Sequence, residues 1–446
     1  MKRGANHKGA IGRRQFLSKS ARAAAAVSMI AAPSIRASAT SPNERIGAAV
    51  VGFNAMGKGH IRSLTQLSDQ ARLVKLCDLD PAVRKEGLKL HKEQGGKDNP
   101  VMCDQYESVI ADKSVDLVVV ATPHHWHVPI ALRALQAGKD VYCEKPASHT
   151  FDEGRLLVQA AKKYGRIFQH GTQTRSSEVT TRAREVIASG YLGEIKMTKA
   201  WNIQDRGNLV PVEDGPTPEG VDYDRWLGPA SKRPFNRNRF HRKWRMYREY
   251  GNGDMGDDGI HDIDIARWFL GVDSHPIRVT AHGSTTHLGG EREFPDNMTV
   301  AFQYTGDKVM LYEDRVWTPY PMHGFDSGNA IYGTEGYMIF SRRGYFQCYK
   351  GRGRKEEKGP GMQKRANRIL EHMKNLLASM RTRNATIATA KEAHLSCGLV
   401  HLAEAASRAE RVLHFDPKTE RVQGDDEAQT LLTKQYRAPY GLPPQV

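Results

Sequence analysis

Two short stretches carry residue types at spacings that suit proton chemistry on an alcohol. In Glu144-Lys145-Pro146 a lysine stands beside an acid and before a proline, which restricts the backbone and holds the ammonium in place. In Asp257-Asp258-Gly259-Ile260-His261 a carboxylate and an imidazole lie four residues apart, hence on one face of a helix that has begun by Asp257. A carboxylate beside an imidazole fixes its tautomer and raises its basicity, which is what removal of a hydroxyl proton needs. An alcohol becomes a carbonyl only if that proton leaves along with the hydride. The residues therefore point to His261 as general acid/base, Asp257 as its orienting or substrate-binding partner, and Lys145 as electrostatic support.

The elements that must position them read as alternating strands and helices. Arg45–Gly52 is a short buried strand ending at glycine, followed by Phe53-Asn54-Ala55-Met56-Gly57, a helical pattern through Leu67, and a second apolar run that ends in Asp78. This is the order of a dinucleotide-binding unit: backbone N–H groups at a helix start receive the pyrophosphate, and an acid at the end of the second strand receives a ribose hydroxyl. Gly52, Asn54, Met56, Gly57 and Asp78 are the expected cofactor contacts. Asn54 occupies the place of the middle glycine, a departure that asparagine's tolerance of positive φ softens. Asp78 favours NAD over NADP, because a carboxylate repels a 2′-phosphate, although Lys75 or Arg84 nearby leaves NADP possible.

Further on, Val115–Ala121 reads as a fully apolar strand delivering Thr122-Pro123, with His127 in the loop behind it, and Asp140–Cys143 as another strand delivering Glu144-Lys145. Ligands of open parallel sheets bind outside such carboxyl ends, so Thr122, Pro123, His127, Glu144 and Lys145 complete the expected cofactor site. Gln173, Arg175 and Trp201 follow the crossover and are candidates for lining a substrate pocket. From Glu194 the pattern changes to short strands separated by turns, the signature of a mostly antiparallel sheet. Pro211–Arg248, rich in Pro, Gly and Arg, reads as an active-site or interface loop, and Lys350–Gly361 as exposed. The expected division is a targeting segment over 1–39, a nucleotide domain over 45–169 and a substrate domain over 170–446.

Together, Val51-Gly52…Gly57…His60, Asp78, Ala121-Thr122-Pro123…His127, Glu144-Lys145-Pro146 and Asp257-Asp258-Gly259-Ile260-His261 resemble the family of glucose–fructose oxidoreductase and inositol dehydrogenase, in order and spacing over most of the chain. Taken alone, His261 would be a capping or core histidine and Lys145 a salt-bridge lysine; at these matching places the catalytic reading is preferred. The resemblance implies an α/β protein, a Rossmann dinucleotide-binding domain followed by an α/β domain with an open, mostly antiparallel sheet. It also implies bound NAD or NADP, a sugar, glycoside or cyclitol substrate, and a homo-oligomer formed on the open sheet. Two other readings stay open: glycoside cleavage by transient oxidation and elimination with NAD, and a non-catalytic binding protein with a vestigial nucleotide fold.

Bulk properties narrow the classes. The chain has 446 residues and a formal charge of +16, but its first 39 residues hold eight Lys or Arg and no acid, which leaves +8 on the rest. No aromatic-basic interleaving accompanies that charge, so nucleic acid is not an expected partner. Gly12-Arg13-Arg14-Gln15-Phe16-Leu17, an alanine-rich stretch and Ala37-Ser38-Ala39 resemble a twin-arginine export signal cleaved near Ala39, which implies a periplasmic enzyme handled by that export machinery. The alanine-rich stretch is too short for a comfortable span, so no stable membrane insertion is expected. Five scattered cysteines show no metal spacing, and His124-His125-Trp126-His127 lacks a carboxylate or thiol at useful spacing, so no metal is expected there.

Overall fold

The computed structural model describes residues 45–351 and 357–443; the export signal read over 1–39 lies outside the described residues. Six parallel strands form the first sheet: β1 (Ile46–Val51), β2 (Ala71–Cys77), β3 (Val101–Cys103), β4 (Leu117–Val120), β5 (Asp140–Cys143) and β6 (Phe168–His170). Their order is β3-β2-β1-β4-β5-β6, which reverses direction between β1 and β4. The central strands are short and apolar throughout (IGAAVV in β1, LVVV in β4) because helices cover both faces. Those helices are α1 (Met56–Gln66), α2 (Pro81–Glu93), α3 (Tyr106–Ala111), α4 (His124–Gln136) and α5 (Phe151–Tyr164). Local chemistry sets their ends. Asp80 caps α2 by accepting from Ala82 N, Glu153 turns back to accept from Thr150 N at the start of α5, and Gly165 ends α5 in the left-handed region.

After α6 (Glu178–Ala188) the chain enters a ten-stranded sheet beginning with β7 (Ile195–Ile203). A short helix, α7 (Tyr223–Leu227), lies in the long loop, and α8 (Ile260–Leu270) carries His261 and stops at Gly271, φ 70°. The remaining strands are β8 (Arg278–Ser284), β9 (Asn297–Gln303), β10 (Val309–Arg315), β11 (Ser327–Gly333), β12 (Gly336–Ser341), β13 (Tyr345–Lys350), β14 (Glu357–Gln363), β15 (Leu413–Asp416) and β16 (Arg421–Val422). The order is β14-β13-β12-β11-β7-β10-β9-β8-β15-β16, with β7 and β10 parallel and the other described pairs antiparallel. The architecture is thus the expected pair of a parallel nucleotide-type sheet and an α/β unit with a mostly antiparallel sheet.

One face of the large sheet carries α8 and α10 (Ala390–Ala409), and its core is continuous with that of the first sheet through Phe151, Val400 and Ala403. The opposite face holds Trp201, Ile203, Ala330 and Ile339 under a layer of partly buried tyrosines, Tyr332, Tyr337, Tyr345 and Tyr349. Helix α9 (Arg368–Thr382) returns to the first sheet, where Met373, Leu376, Leu377 and Met380 pack with Ile61 and Leu64 of α1. Within Lys350–Gly361 the described part from Glu357 onward is the start of β14, an exposed edge strand whose sequence, EKGPGMQ, has little strand propensity of its own.

Candidate functional site

A cleft with about 1050 Å³ of space, open solvent at its mouth included, lies at the carboxyl ends of the parallel strands, where the strand order reverses. Its lining gathers Gly52, Asn54, Met56, Asp78, Thr122, Pro123, His127, Glu144, Lys145 and Asp257. The glycine turn is built for close approach. Gly52 has φ 78°, and a Cβ there would stand 2.9 Å from the Thr122 backbone. Gly57 faces back onto the turn, where a Cβ would meet the Gly52 carbonyl oxygen at 2.2 Å. Asn54 is not among the described residues with positive φ, so the left-handed step falls on Gly52 and the substitution at the middle position imposes no backbone strain. No side chain caps α1, which leaves its first N–H groups free for an anion. Asp78 Oδ2 accepts from Phe53 N at 2.9 Å and Oδ1 from Asp80 N at 3.0 Å, tying the acid to the glycine turn. Burial pushes its pKa up, against those two hydrogen bonds. Arg84, considered above as a softener of the Asp78 charge, donates to the Asp78 carbonyl at 2.6 Å, and Lys75 pairs with Asp112. The residues present therefore suit a dinucleotide: an uncapped helix start, a glycine turn with no room for a side chain, and an acid at the second strand end.

At the other end of the cleft, Lys145 Nζ donates to both the carbonyl oxygen and Oδ1 of Asp257, each at 2.6 Å. Arg245 forms an ion pair with Asp257 Oδ2 at 2.9 Å. Burial alone would raise the Asp257 pKa, but Lys145 and Arg245 outweigh it and hold the carboxyl well below the usual range. Behind Lys145, buried Glu144 accepts from Gln173 Nε2 at 2.8 Å and from Lys145 N at 3.2 Å, and shares a hydrogen bond with His60 at 2.8 Å. Burial would raise the Glu144 pKa, yet His60 and Lys145 keep it below its ordinary value. Glu144 is thus a buried brace under the lysine. His127 is also committed, its two ring nitrogens each 2.8 Å from a carbonyl oxygen, of Pro146 and of Thr122, so it clamps the β4 and β5 ends together.

Several expected placements need correction. Asp257 does not orient His261: a π turn over Met255–Gly259 precedes α8, and the Asp257 carboxylate is taken by Lys145 and Arg245. His261 is buried outside the cleft lining, with Nδ1 lacking a protein partner, and burial together with Arg342 and Lys145 drives its pKa well below that of a free imidazole. Arg175 and Trp201 do not line the cleft. Arg175 is wholly buried, bidentate to Asp264 at 2.7 Å and bonded to Glu392 at 2.8 Å, because a desolvated guanidinium needs carboxylates around it. Trp201 lies on the opposite face of the large sheet and donates its indole N–H to the Phe325 carbonyl at 3.0 Å. Gln173 likewise stays behind Glu144 rather than in the cleft.

The long loop supplies residues that sequence reasoning did not single out. Trp226, Phe240, His241, Trp244 and Arg245 line the cleft, and an aromatic cluster that includes Tyr223, Tyr247 and Tyr250 supports them. His241 reaches Asp80 at 3.0 Å across the cleft mouth, and Trp244 stacks edge-on against His124. The only signal available in the sequence was the density of aromatics and arginines in that loop.

Fold and site together define a nicotinamide-dependent oxidoreductase class: a reversed parallel sheet, an uncapped glycine turn, and a half-buried lysine-aspartate pair at the β5 end of the cleft. The description "oxidoreductase family, NAD-binding Rossmann fold" matches residues 46–172, and "oxidoreductase family, C-terminal alpha/beta domain" matches 184–314 and 357–442. The chain belongs to the Gfo/Idh/MocA oxidoreductase family. It is 28% identical over 295 residues to inositol 2-dehydrogenase of Rubrobacter xylanophilus, covering 66% of this chain and 71% of that one. It is 26% identical over 234 residues to 1,5-anhydro-D-fructose reductase of Ensifer adhaerens, covering 52% and 59%. Among solved structures, levoglucosan dehydrogenase in complex with NADH and levoglucosan shares the fold at TM-score 0.66 and 17% identity, over 83% of this chain and 99% of that one. Aldose-aldose oxidoreductase from Caulobacter crescentus does so at 0.64 and 19%, over 83% and 100%.

Proposed function

We propose that this NAD-dependent dehydrogenase oxidises or reduces a secondary alcohol of a sugar, glycoside or cyclitol. The carrying observation is the Lys145 ammonium, held by Asp257 at the β5 end of the cofactor cleft. The substrate class follows what the relatives are named for, inositol and anhydrofructose, and the polar character of the Lys145, Asp257, Arg245 and His124 end of the cleft. When bound, NAD supplies the hydride acceptor.

The chain's own residues do the rest. Lys145 presents positive charge to the substrate hydroxyl and stabilises the oxyanion as the proton leaves. Asp257 and Arg245 fix the lysine's position. His261, neutral and buried outside the cleft lining, can receive the hydroxyl proton only by relay from the cleft. Trp244 and His241 of the long loop line the cleft, where their rings limit the water around a bound substrate.

The test is a panel of inositols, levoglucosan and anhydrosugars with NAD, followed by the appearance of NADH absorbance. Turnover with stoichiometric NADH supports the reading. Cleavage of a glycoside with no net NADH would replace it with the oxidation–elimination reaction. Failure to bind NADH at all would leave a vestigial fold.

Export by the twin-arginine route to the periplasm belongs to the same proposal and rests on Arg13-Arg14 and the alanine-rich stretch after them. An R13K/R14K double variant that still reaches the periplasm would reject it. Self-association is proposed through the tyrosine-covered face of the large sheet, where Tyr337 stacks on both Tyr332 and Tyr349. A monomer by sedimentation velocity would reject that assignment.

A further inference from the structure

Away from the cleft, three chain segments bring lone-pair atoms to one point. His275 lies in the connection between α8 and β8, His394 on α10, and Glu420 in the turn between β15 and β16. His275 Nε2 and His394 Nε2 are 3.3 Å apart; Glu420 Oε1 is 2.9 Å from His394 Nε2 and 3.5 Å from His275 Nε2. Both imidazoles are buried, and the carboxylate is about a fifth exposed.

We propose that His275, His394 and Glu420 form a binding site for a divalent transition-metal ion, zinc by its ligand chemistry. A tetrahedral zinc with bonds of about 2.0–2.1 Å to nitrogen and 2.0–2.2 Å to oxygen has ligand-to-ligand edges of about 3.3 Å. The three observed edges, 3.3, 2.9 and 3.5 Å, scatter about that value.

The surroundings hold the donors in place. Arg155 Nε grips the other carboxylate oxygen, Oε2, at 2.8 Å and so turns Oε1 toward the histidines. Phe151 packs against both rings at 4.9 Å and Phe415 against His275 at 5.9 Å, fixing their orientation. Glu420 is the part-exposed member of the three, and water would complete the coordination. A cation here would tie the β15–β16 hairpin to α10 and to the lead-in of β8, with no part in hydride transfer.

The experiment uses the full mature chain, stripped with a chelator and titrated with Zn²⁺ alone or Co²⁺ alone, beside H275Q and E420Q. NADH binding by fluorescence serves as the folding control for each variant. The expected result is one Zn²⁺ per chain, a four-coordinate visible spectrum with Co²⁺, and a Zn²⁺-dependent rise in Tm. Each variant should bind about a hundredfold more weakly, with the Tm rise abolished and NADH binding retained. Absence of stoichiometric Zn²⁺ in the parent chain, or binding that persists in both variants, would overturn the assignment. Because the parent titration decides the matter by itself, a variant that fails to fold does not protect the proposal.

Discussion

Lys145 Nζ bonds at once to the carbonyl oxygen and to the carboxylate of Asp257, so the ammonium on the parallel sheet is anchored to the turn that opens α8. Residues 112 positions apart in the chain thereby make one unit, and the ammonium is fixed at the β5 end of the cleft by the fold itself. Replacing the lysine by the similarly long but uncharged methionine removes that charge. K145M is expected to lose about 10²–10³-fold in kcat while NADH binding stays within a few fold. Steady-state kinetics beside a fluorescence titration check this; a kcat within tenfold of the parent would remove Lys145 from the chemistry.

Cofactor choice should follow Asp78. Its carboxylate stands in the cleft lining at the end of β2, with Asp80 and Asp104 also lining the cleft. In D78N the amide oxygen can still accept from Phe53 N, while the charge that repels a 2′-phosphate is gone. The NADP-to-NAD ratio of kcat/KM is expected to rise by about 10- to 100-fold, the scale of one removed charge at close range. An unchanged ratio would mean that Asp78 does not face the ribose.

Acid stability depends on histidines buried in the neutral form. Burial pushes His125, His170 and His401 down to about 3 and His372 to about 4. Their folded values are depressed, so the unfolded chain binds more protons below the unfolded value of about 6.5. Stability is complete above that pH and falls as pH drops toward 3–4, at full slope by about 1.4 kcal/mol per pH unit for each histidine. A Tm series from pH 7.5 to 4.5 should show a plateau and then a steep decline; a flat series would contradict the burial of these rings as neutral groups.

Trp201 should matter for stability and not for turnover. W201F removes one of two donors to the Phe325 carbonyl, Met322 N at 3.1 Å remaining, at a cost of about 0.5–1.5 kcal/mol. KM and kcat should be unchanged. A KM shift of more than a few fold, with Tm intact, would return Trp201 to the substrate pocket.

Much of this was legible from residue order alone. Runs such as IGAAVV and LVVV, buried on both faces, specify parallel strands, and a glycine at each tight turn marks where backbone must approach backbone. The strand-end positions of Asp78, Thr122 and Lys145 follow directly, because the carboxyl ends of parallel strands all lie along one edge of the sheet. Edge strands such as β14 escaped notice because their residues carry little strand preference and pair only when a neighbour is already in place.

Which partners the long-range pairs choose was left to tertiary structure. Spacing of four suggested that Asp257 would serve His261, but the π turn changes the angle per residue and gives the carboxylate to Lys145 and Arg245. Position after the crossover suggested substrate roles for Arg175 and Trp201; burial consumed one in an ion network with Asp264 and Glu392 and turned the other to the far face of the sheet. Local sequence determines the elements and what stands at their ends, since propensity, capping and turn chemistry act over a few residues. Which charges meet is decided by packing, since the nearest counter-charge in space has no fixed distance along the chain.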